Sequence, residues 1–504
     1  MHGWIDSLAV YRDKRVLRLL FLGFSAGIPI LLVFSTLSVW LREAGVERAA
    51  VGFFSWAALG YGFKFIWAPL VDHLPLPLLT RQLGRRRSWL LVSQVMIIAA
   101  LVLQAFNDPV TNLTLAAVFA VMLGFSSATQ DIVIDAYRIE AADVDLQASL
   151  SAAYIAGYRI GMILAGAVAL EIAGGLDPDP DSYQHSPWFW TYLCMAAAMG
   201  IGLITTLTVP EPDPVAGRRE LDRPFAHYLR FIALFALSVA GFVVMFLLTA
   251  DTAAQAKQAL GGGTLSGFLV ETGRLVLALI VALITGRGLV AAGLTPKDMV
   301  REAYVDPFAD FFTRFGKLAL LVLTLIAFYR ISDVVMGVMA NVFYVDIGFD
   351  KQTIGRVTKG FGLIMTILGG FAGGLLAYRF GVLKALFIGG LLVAATNALF
   401  ALLAVSGAQL TLLMAVIAAD NLSGGIASAA FVAYLSGLTS SGHTATQYAL
   451  FSSIMLLLPK VIAGYSGMMV DAVGYVWFFL GTAALGLPVL VLIGAVGLWV
   501  RERN

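Results

Sequence analysis

Residues Gly124 to Arg138, GFSSATQDIVIDAYR, decide how the rest of the sequence is interpreted. They close an apolar run that begins near Leu113, and they carry Asp131 and Asp135 four residues apart. This spacing places both carboxylates on one face of a helix, about 6 Å apart along its axis. A membrane helix holds such groups only where they face a partner or a water-filled cavity, because a carboxylate is costly in hydrocarbon. The stretch therefore predicts a membrane helix that lines a polar pathway.

The composition is that of a protein with many membrane spans. Of 504 residues, 60% are hydrophobic and 13% are charged, whereas soluble chains carry about 25% charged residues. Apolar runs of about 20 residues, the length that crosses a bilayer, recur from end to end. The single cysteine, Cys194, excludes an internal disulfide framework and a cysteine-based metal cluster.

The apolar runs predict about fourteen transmembrane helices. The predicted spans are 16–40, 50–72, 88–106, 112–138, 147–173, 188–209, 227–250, 264–292, 318–343, 354–378, 383–405, 409–438, 446–470 and 475–499. Lys and Arg concentrate in the N-terminal segment, the tail and alternate loops, whereas the opposite loops are poor in both. By the positive-inside rule, both termini are expected to be cytoplasmic.

The spans fall into two sets of six with a pair between them. Residues 1–209 are expected to form an N-terminal six-helix bundle and residues 318–504 a C-terminal one. Residues 210–317 are expected to hold a linker, two inserted helices without buried charge, and a cytoplasmic amphipathic segment, 295–317. The predicted fold class is an all-α integral membrane protein.

The two sets of six resemble each other. The fourth helix of each carries an acid beside an amide, Gln130-Asp131 and Asp420-Asn421. The fifth helix of each carries one cation, Arg159 or Lys460, about 18–21 Å into the helix and near the bilayer midplane. Six-helix halves whose polar groups meet at the midplane are the architecture of the major facilitator superfamily. The loop after the second helix also resembles the acidic-then-GRRR signature of that superfamily.

Ten stretches, in order along both halves, resemble the AmpG muropeptide permeases. They are GFSAGIPI (23–30), GFFSW (52–56) with FKFIWAPLVD (63–72), GRRRSWLL (84–91), SATQDIVIDAYR (127–138), GYRIGM (157–162), DPFADFF (306–312), FYRISD (328–333), NLSGGIASAAFVA (421–433) and TATQYALFSS (444–453). The resemblance implies proton-coupled import of anhydro-muropeptides from periplasm to cytoplasm across a Gram-negative inner membrane. It implies a monomer in membrane lipid, driven by the proton gradient, with no cofactor and no nucleic acid.

Three aspartates are the candidates for proton coupling: Asp131, Asp135 and Asp333. Two carboxylates in an apolar setting can exchange a proton because their titrations are coupled. A structural alternative stays open for the first two, which lie near the cytoplasmic end of their helix and could pair with arginines such as Arg138 or Arg87 in a gate.

Arg159 and Arg330 are the leading candidates for substrate binding. Each follows a tyrosine, Tyr158 or Tyr329, and a guanidinium binds carboxylates bidentately. Asp333 lies one helical turn beyond Arg330 and could neutralise it in the empty state, although a static ion pair is the alternative. The remaining candidates are Gln130, Asn421, Tyr61, Lys64 and Lys460. Lys64 could equally serve a structural role.

A cytoplasmic gate is predicted from Asp72 together with Arg85, Arg86 and Arg87. The five histidines show no metal-ligand spacing, and the sequence contains neither a phosphate-binding loop nor a nucleophile elbow. We therefore expect a transporter without a metal, and not an enzyme. Two alternatives remain open: a transporter of the same fold for another anionic cargo such as acetyl-CoA, and a non-transporting membrane scaffold.

Overall fold

The protein is described by a computed structural model at residues 10–46, 54, 59–143, 146–177, 182–212, 223–261, 264–349, 351–440, 442–463 and 465–503. These ranges contain helices and no strand, so the predicted fold class is correct. Twelve of the described helices are long and apolar enough to cross a membrane. The predicted count of fourteen is not confirmed. Thr444–Ala463 is not among the twelve, and the predicted span 50–72, with its GFFSW stretch, includes residues outside the described ranges.

The chain divides into two compact units. The larger unit comprises Met1–Val71, Pro75–Val215 and Phe311–Asn504, and the smaller comprises Asp72–Leu74 and Ala216–Asp310. Both predicted six-helix sets therefore lie mainly in the larger unit. The three-part division at residues 209 and 317 stays a prediction.

The first part of the larger unit, up to Val215, is here called the N-terminal bundle. Side chains cap the starts of two of its helices. Asp13 accepts a hydrogen bond from the Arg15 amide at 2.8 Å, and Asn112 accepts one from the Leu115 amide at 3.0 Å. Each satisfies one free N–H at a helix start. The helices of this part are α1 (Lys14–Val33), α2 (Ser35–Glu43), α3 (Leu59–Phe63), α4 (Ala68–His73), α5 (Leu79–Leu83), α6 (Arg85–Phe106), α7 (Leu113–Glu140), α8 (Gln147–Ile163), α9 (Ala169–Leu176), α10 (His185–Ala198) and α11 (Gly200–Thr208).

The smaller unit contains the inserted helices. They are α12 (Phe225–Leu248), α13 (Ala250–Ala259), α14 (Thr264–Ala291) and α15 (Lys297–Tyr304), and α16 (Asp306–Phe315) follows. Arg223 ties the start of the unit to α15, with Nη1 2.6 Å from Asp298 Oδ2 and Nη2 3.0 Å from Glu302 Oε2. The hydrogen bond from Arg223 holds the pKa of Asp298 below its usual range.

The inserted pair carries a partly exposed ion pair, and the prediction that it holds no buried charge stays a prediction. Arg274 on α14 keeps only 10% of its side chain exposed and pairs with Glu271 at 3.2 Å. Its guanidinium also lies 3.8 Å from the Phe246 ring centroid and donates from Nε to the Phe246 carbonyl at 3.0 Å. This arginine satisfies a carbonyl at the end of α12, which the apolar sequence pattern did not reveal.

The second part of the larger unit, here the C-terminal bundle, contains the remaining helices. They are α17 (Ala319–Phe328), α18 (Ile331–Asp346), α19 (Lys351–Ile354), α20 (Gly362–Phe380), α21 (Val382–Ser406), α22 (Leu410–Leu438), α23 (Thr444–Ala463) and α24 (Ser466–Arg503). The backbone leaves the helical region at Arg330, between α17 and α18, and at Gly474 within α24.

Close glycine contacts hold helix pairs together in each bundle. In the N-terminal bundle, a Cβ at Gly27 would lie 2.0 Å from the Tyr158 carbonyl oxygen, and one at Gly161 would lie 2.2 Å from that of Phe24. In the C-terminal bundle, a Cβ at Gly425 would lie 2.3 Å from the Thr366 carbonyl oxygen. Small residues let backbones touch in this way within membranes. Helices α1 and α8, and α20 and α22, therefore pack backbone against backbone.

Two π-helical turns interrupt the helices that join the bundles. Leu164–Val168 lies between α8 and α9, and Gly355–Phe361 lies between α19 and α20. Helix α8 packs against α20, so both turns belong to helices at the boundary between the bundles. Such turns occur frequently at functional sites.

Candidate functional site

Asp131 is buried within the N-terminal bundle. Its side chain is 8% exposed, and Tyr154 donates to Oδ1 at 3.4 Å. The carboxylate also interacts electrostatically with three neighbouring side chains, those of Lys64, Tyr61 and Tyr158. Four of the predicted site residues therefore meet at one place.

Asp135 lies one turn further along α7 and bridges two cations. Its Oδ2 is 3.5 Å from Lys64 Nζ, and its Oδ1 is 3.3 Å from Arg138 Nη2. All three side chains are buried. Asp135 therefore forms the ion pair with Arg138 that the sequence analysis gave as its structural alternative. Its role in proton coupling stays a prediction.

Arg159 lies half-buried on α8 without an acidic partner among the described residues. The contact that its guanidinium makes is with the sulfur of Met162, at 3.8 Å. Arg330 and Asp333, which belong to the other bundle, act electrostatically on Arg159. The two predicted substrate arginines therefore approach the boundary from opposite sides.

Arg330 lies at the break between α17 and α18 and pairs with Asp333. The Arg330 Nη2 to Asp333 Oδ2 distance is 2.5 Å, and Nη1 donates to Ser428 Oγ at 3.0 Å. The pair keeps 28% and 27% of its side chains exposed. Tyr329 is instead buried, stacks on Phe431 at 4.3 Å and donates to the Leu386 carbonyl. Tyr329 also lines a cavity together with Arg330 and Asp333, and its role in substrate binding stays a prediction.

The other predicted ligand residues occupy different environments. Gln130 has no exposed surface, and neither polar atom of its amide has a partner among the described residues. Asn421 donates to Ile417 and accepts from Thr366 Oγ1 at 2.8 Å, so its amide serves helix packing. Tyr61 shares a 2.5 Å hydrogen bond with Ser127, and Lys460 is exposed near the end of α23.

The two acid–amide pairs lie at different depths. Asp131 is nine residues before the end of α7, and Asp420 is eighteen residues before the end of α22. At 1.5 Å per residue, these positions are about 14 Å and 27 Å from the helix ends. The two pairs therefore lie at different places along their helices.

The predicted gate arginines bind carboxylates that the sequence did not single out. Arg86 is fully buried and holds Glu140 with two bonds, from Nε at 2.9 Å and from Nη2 at 2.6 Å. Arg85 lies 3.6 Å from the same carboxylate. Glu211 accepts the backbone N–H groups of Arg86 and Arg87 at 2.7 and 3.0 Å, which caps the start of α6. Asp72 is buried, and its role in the gate stays a prediction.

Arg138 joins the bundles and was not predicted to do so. It donates to Ser436 Oγ on α22 at 2.7 Å, and its guanidinium carbon lies 5.1 Å from the centroid of the Tyr448 ring on α23. These partners are about 300 residues away in sequence, so local spacing gave no signal for them.

The architecture has well-matched counterparts among solved structures. The fucose:proton symporter FucP of Escherichia coli aligns over 98% of each chain with a TM-score of 0.59 and 11% identity. The proton:xylose symporter XylE aligns over 98% of this chain and 95% of its own with a TM-score of 0.57 and 12% identity. Two helical bundles that meet across charged residues thus give this chain the major facilitator fold.

Sequence comparison narrows the class. The anhydromuropeptide permease of Escherichia coli strain K12 is 30% identical over 487 residues, which cover 96% of this chain and 80% of that protein. The putative transporter AmpG 4 of Rickettsia felis is 29% identical over 484 residues, which cover 96% and 97%. A family described as Acetyl-coenzyme A transporter 1 matches residues 15–175. The chain belongs to the AmpG anhydromuropeptide permease family.

Proposed function

We propose that the protein imports anhydro-muropeptides from periplasm to cytoplasm, coupled to protons, by alternating access between its two bundles. The substrate class comes from the relatives, among them the anhydromuropeptide permease of Escherichia coli. The site is consistent with it, because a muropeptide carries several carboxylates and guanidinium groups bind carboxylates bidentately.

The observation that carries this proposal is the charge at the bundle boundary. Arg330 is neutralised by Asp333 at 2.5 Å, whereas Arg159 has no carboxylate partner among the described residues. Arg159, Arg330 and Asp333 together carry one net positive charge. That charge belongs to Arg159, which lies on the N-terminal bundle and faces the C-terminal bundle. An unpaired guanidinium inside a membrane protein is costly unless it serves an anionic ligand or water. This feature favours a transporter of anions over a non-transporting scaffold.

Proton coupling is assigned to the aspartates. Asp131 is buried beside Tyr154 and within electrostatic range of Lys64, and Asp135 holds two cations. Protonation of either carboxylate changes the charge balance of a buried network, so it can bias the equilibrium between conformations. Asp333 offers a second route, because its protonation would free Arg330 for substrate.

A second cargo is favoured by one specific observation. The match of residues 15–175 to the family described as Acetyl-coenzyme A transporter 1 covers helices α1 to α8, which carry Asp131 and Arg159. Acetyl-CoA is also anionic, so the same arginine could receive its phosphates. The two cargoes are separated by direct competition.

The proposal is tested by uptake into proteoliposomes with and without an inward proton gradient. Labelled anhydro-muropeptide and labelled acetyl-CoA are offered separately, to wild type, Asp131→Asn and Arg159→Ala. Arg301→Ala is the matched control, because that arginine is highly exposed and pairs with Asp306 at 3.3 Å. We expect gradient-driven accumulation of anhydro-muropeptide in wild type and the control, and its loss in both site variants.

Each alternative has its own outcome. Accumulation of acetyl-CoA without anhydro-muropeptide would mean that acetyl-CoA is the substrate, and the protein would still be a transporter of this fold. Binding of anhydro-muropeptide without accumulation would favour a receptor or scaffold. Uptake that is insensitive to the gradient and to Asp131→Asn would remove the proton from the proposal while leaving the cargo in place.

A further inference from the structure

Arg138 is a charged side chain buried where four helices meet. It lies two residues before the end of α7 and has no exposed surface. From the N-terminal bundle it is held by Asp135 at 3.3 Å, Ser151 Oγ at 3.0 Å and Gln147 Oε1 at 3.3 Å. Gln147 and Ser151 lie in the first turns of α8. Arg138 is therefore fixed to its own bundle by three groups on two helices.

The same guanidinium reaches the C-terminal bundle. Nη1 donates to Ser436 Oγ at 2.7 Å, and the ring of Tyr448 lies beneath the guanidinium at 5.1 Å. Ser436 is two residues before the end of α22, and Tyr448 is four residues after the start of α23. Both contacts need the bundles to be closed at the membrane face where α7 ends, here called the near face.

The charge balance of this network depends on Asp135. Lys64 from the segment before α4 and Arg138 from α7 share that carboxylate, at 3.5 and 3.3 Å. The other titratable groups around it are Asp131 on α7, Tyr154 on α8 and Tyr448 on α23. If Asp135 were neutral, the buried cations Lys64 and Arg138 would both lose the carboxylate charge that they now share. Breaking a buried pair in this way is strongly destabilising, because one charge stays buried without compensation.

We propose that Arg138 is the positioning residue that keeps the two bundles together at the near face, and that neutralisation of Asp135 releases it. In the released state, the bundles separate at this face and water solvates the guanidinium. The inference rests on the proposed function in one respect, that the protein alternates between conformations. It adds the residue that transmits the charge of Asp135 from one bundle to the other.

The test measures the distance between the bundles without substrate. Spin labels are placed at Gln82→Cys on α5 and Lys384→Cys on α21, two exposed near-face positions, in a Cys194→Ser background that removes the one native cysteine. Pulsed electron resonance in nanodiscs then gives the ratio of separated to closed molecules. We expect Arg138→Gln and Asp135→Asn each to raise that ratio about fivefold or more.

Two further variants make the result specific. Ser436→Ala removes one interbundle hydrogen bond and leaves the ion pair with Asp135 in place, so we expect a smaller rise of about twofold. Arg301→Gln removes an exposed arginine and should leave the distances unchanged.

A purely structural Arg138 predicts a different pattern. The melting temperature would fall in Arg138→Gln while the distance distribution of the folded molecules stayed that of wild type, and this result would overturn the proposal. An unchanged distribution in Asp135→Asn would overturn the part assigned to that carboxylate. Because no substrate is present, failure of the muropeptide assignment would appear in the uptake experiment and not here.

Discussion

Arg86 and Glu140 form a bidentate ion pair between the start of α6 and the end of α7, with Nε and Nη2 at 2.9 and 2.6 Å from the two carboxylate oxygens. The guanidinium is fully buried, so its charge depends on nearby acceptors. We expect Glu140→Gln to lower the free energy of unfolding by about 3 kcal/mol, because it removes one partner of a buried pair. The readout is thermal melting in detergent. A double-mutant cycle with Arg86→Gln should recover part of the loss, and strictly additive effects would contradict the pairing.

Gly424 and Gly425 offer a matched pair for the backbone contact between α20 and α22. A Cβ at Gly425 would lie 2.3 Å from the Thr366 carbonyl oxygen, whereas one at Gly424 would meet nothing within 4 Å. Gly425→Ala should therefore force the helices apart and cost about 1–3 kcal/mol by overpacking. Gly424→Ala should be near neutral. The test compares the melting temperatures of the two variants. Equal melting temperatures would show that α20 and α22 do not touch at Gly425.

Asp333 controls the charge that Arg330 presents. With the carboxylate 2.5 Å from the guanidinium, the pair is close to neutral. Asp333→Asn should leave Arg330 free, so we expect tighter binding of the anionic substrate together with slower turnover. The KM for uptake should fall and the maximal rate should fall with it. Arg330→Lys is the companion variant, since an ammonium cannot reproduce the bidentate fork and should raise KM instead.

Tyr11 contacts the other bundle just before α1 begins. Its hydroxyl donates to the Phe371 carbonyl at 2.7 Å, and burial raises the pKa of Tyr11 to about 12. Because the neutral hydroxyl is favoured in this packed state, the contact should hold below about pH 10, the usual tyrosine pKa, and weaken as pH rises from there towards 12. Tyr11→Phe should cost about 1 kcal/mol at pH 8. Melting at pH 8 and pH 10.5 should show a pH-dependent loss in wild type that is smaller in the variant.

Much of the site could be predicted because it depends on local spacing. The pairing of Arg330 with Asp333 follows from a separation of three residues across the start of α18. The position of Asp131 and Asp135 on one helix face follows from a separation of four. Composition and apolar run length likewise gave the helical membrane class without reference to any contact.

The contacts that hold the bundles together could not be predicted in the same way. Ser436 lies 298 residues from Arg138, and Glu140 and Glu211 reach Arg86 only after α6, α7 and α11 have packed. Nothing in the spacing of these residues marks them as partners.

The π-helical turn at Leu164–Val168 has a consequence for how the chain tolerates changes in length. Such a turn closes its hydrogen bonds over one residue more than an α turn, so it can release a residue and become α-helical. Deleting one residue there should preserve the faces of α8 and α9 on either side. A deletion inside α7 would instead rotate every later side chain of that helix by about 100° and misplace Asp131 or Arg138. We therefore expect the helix formed by α8 and α9 to lose one residue at this turn and still present Arg159 to the same neighbours.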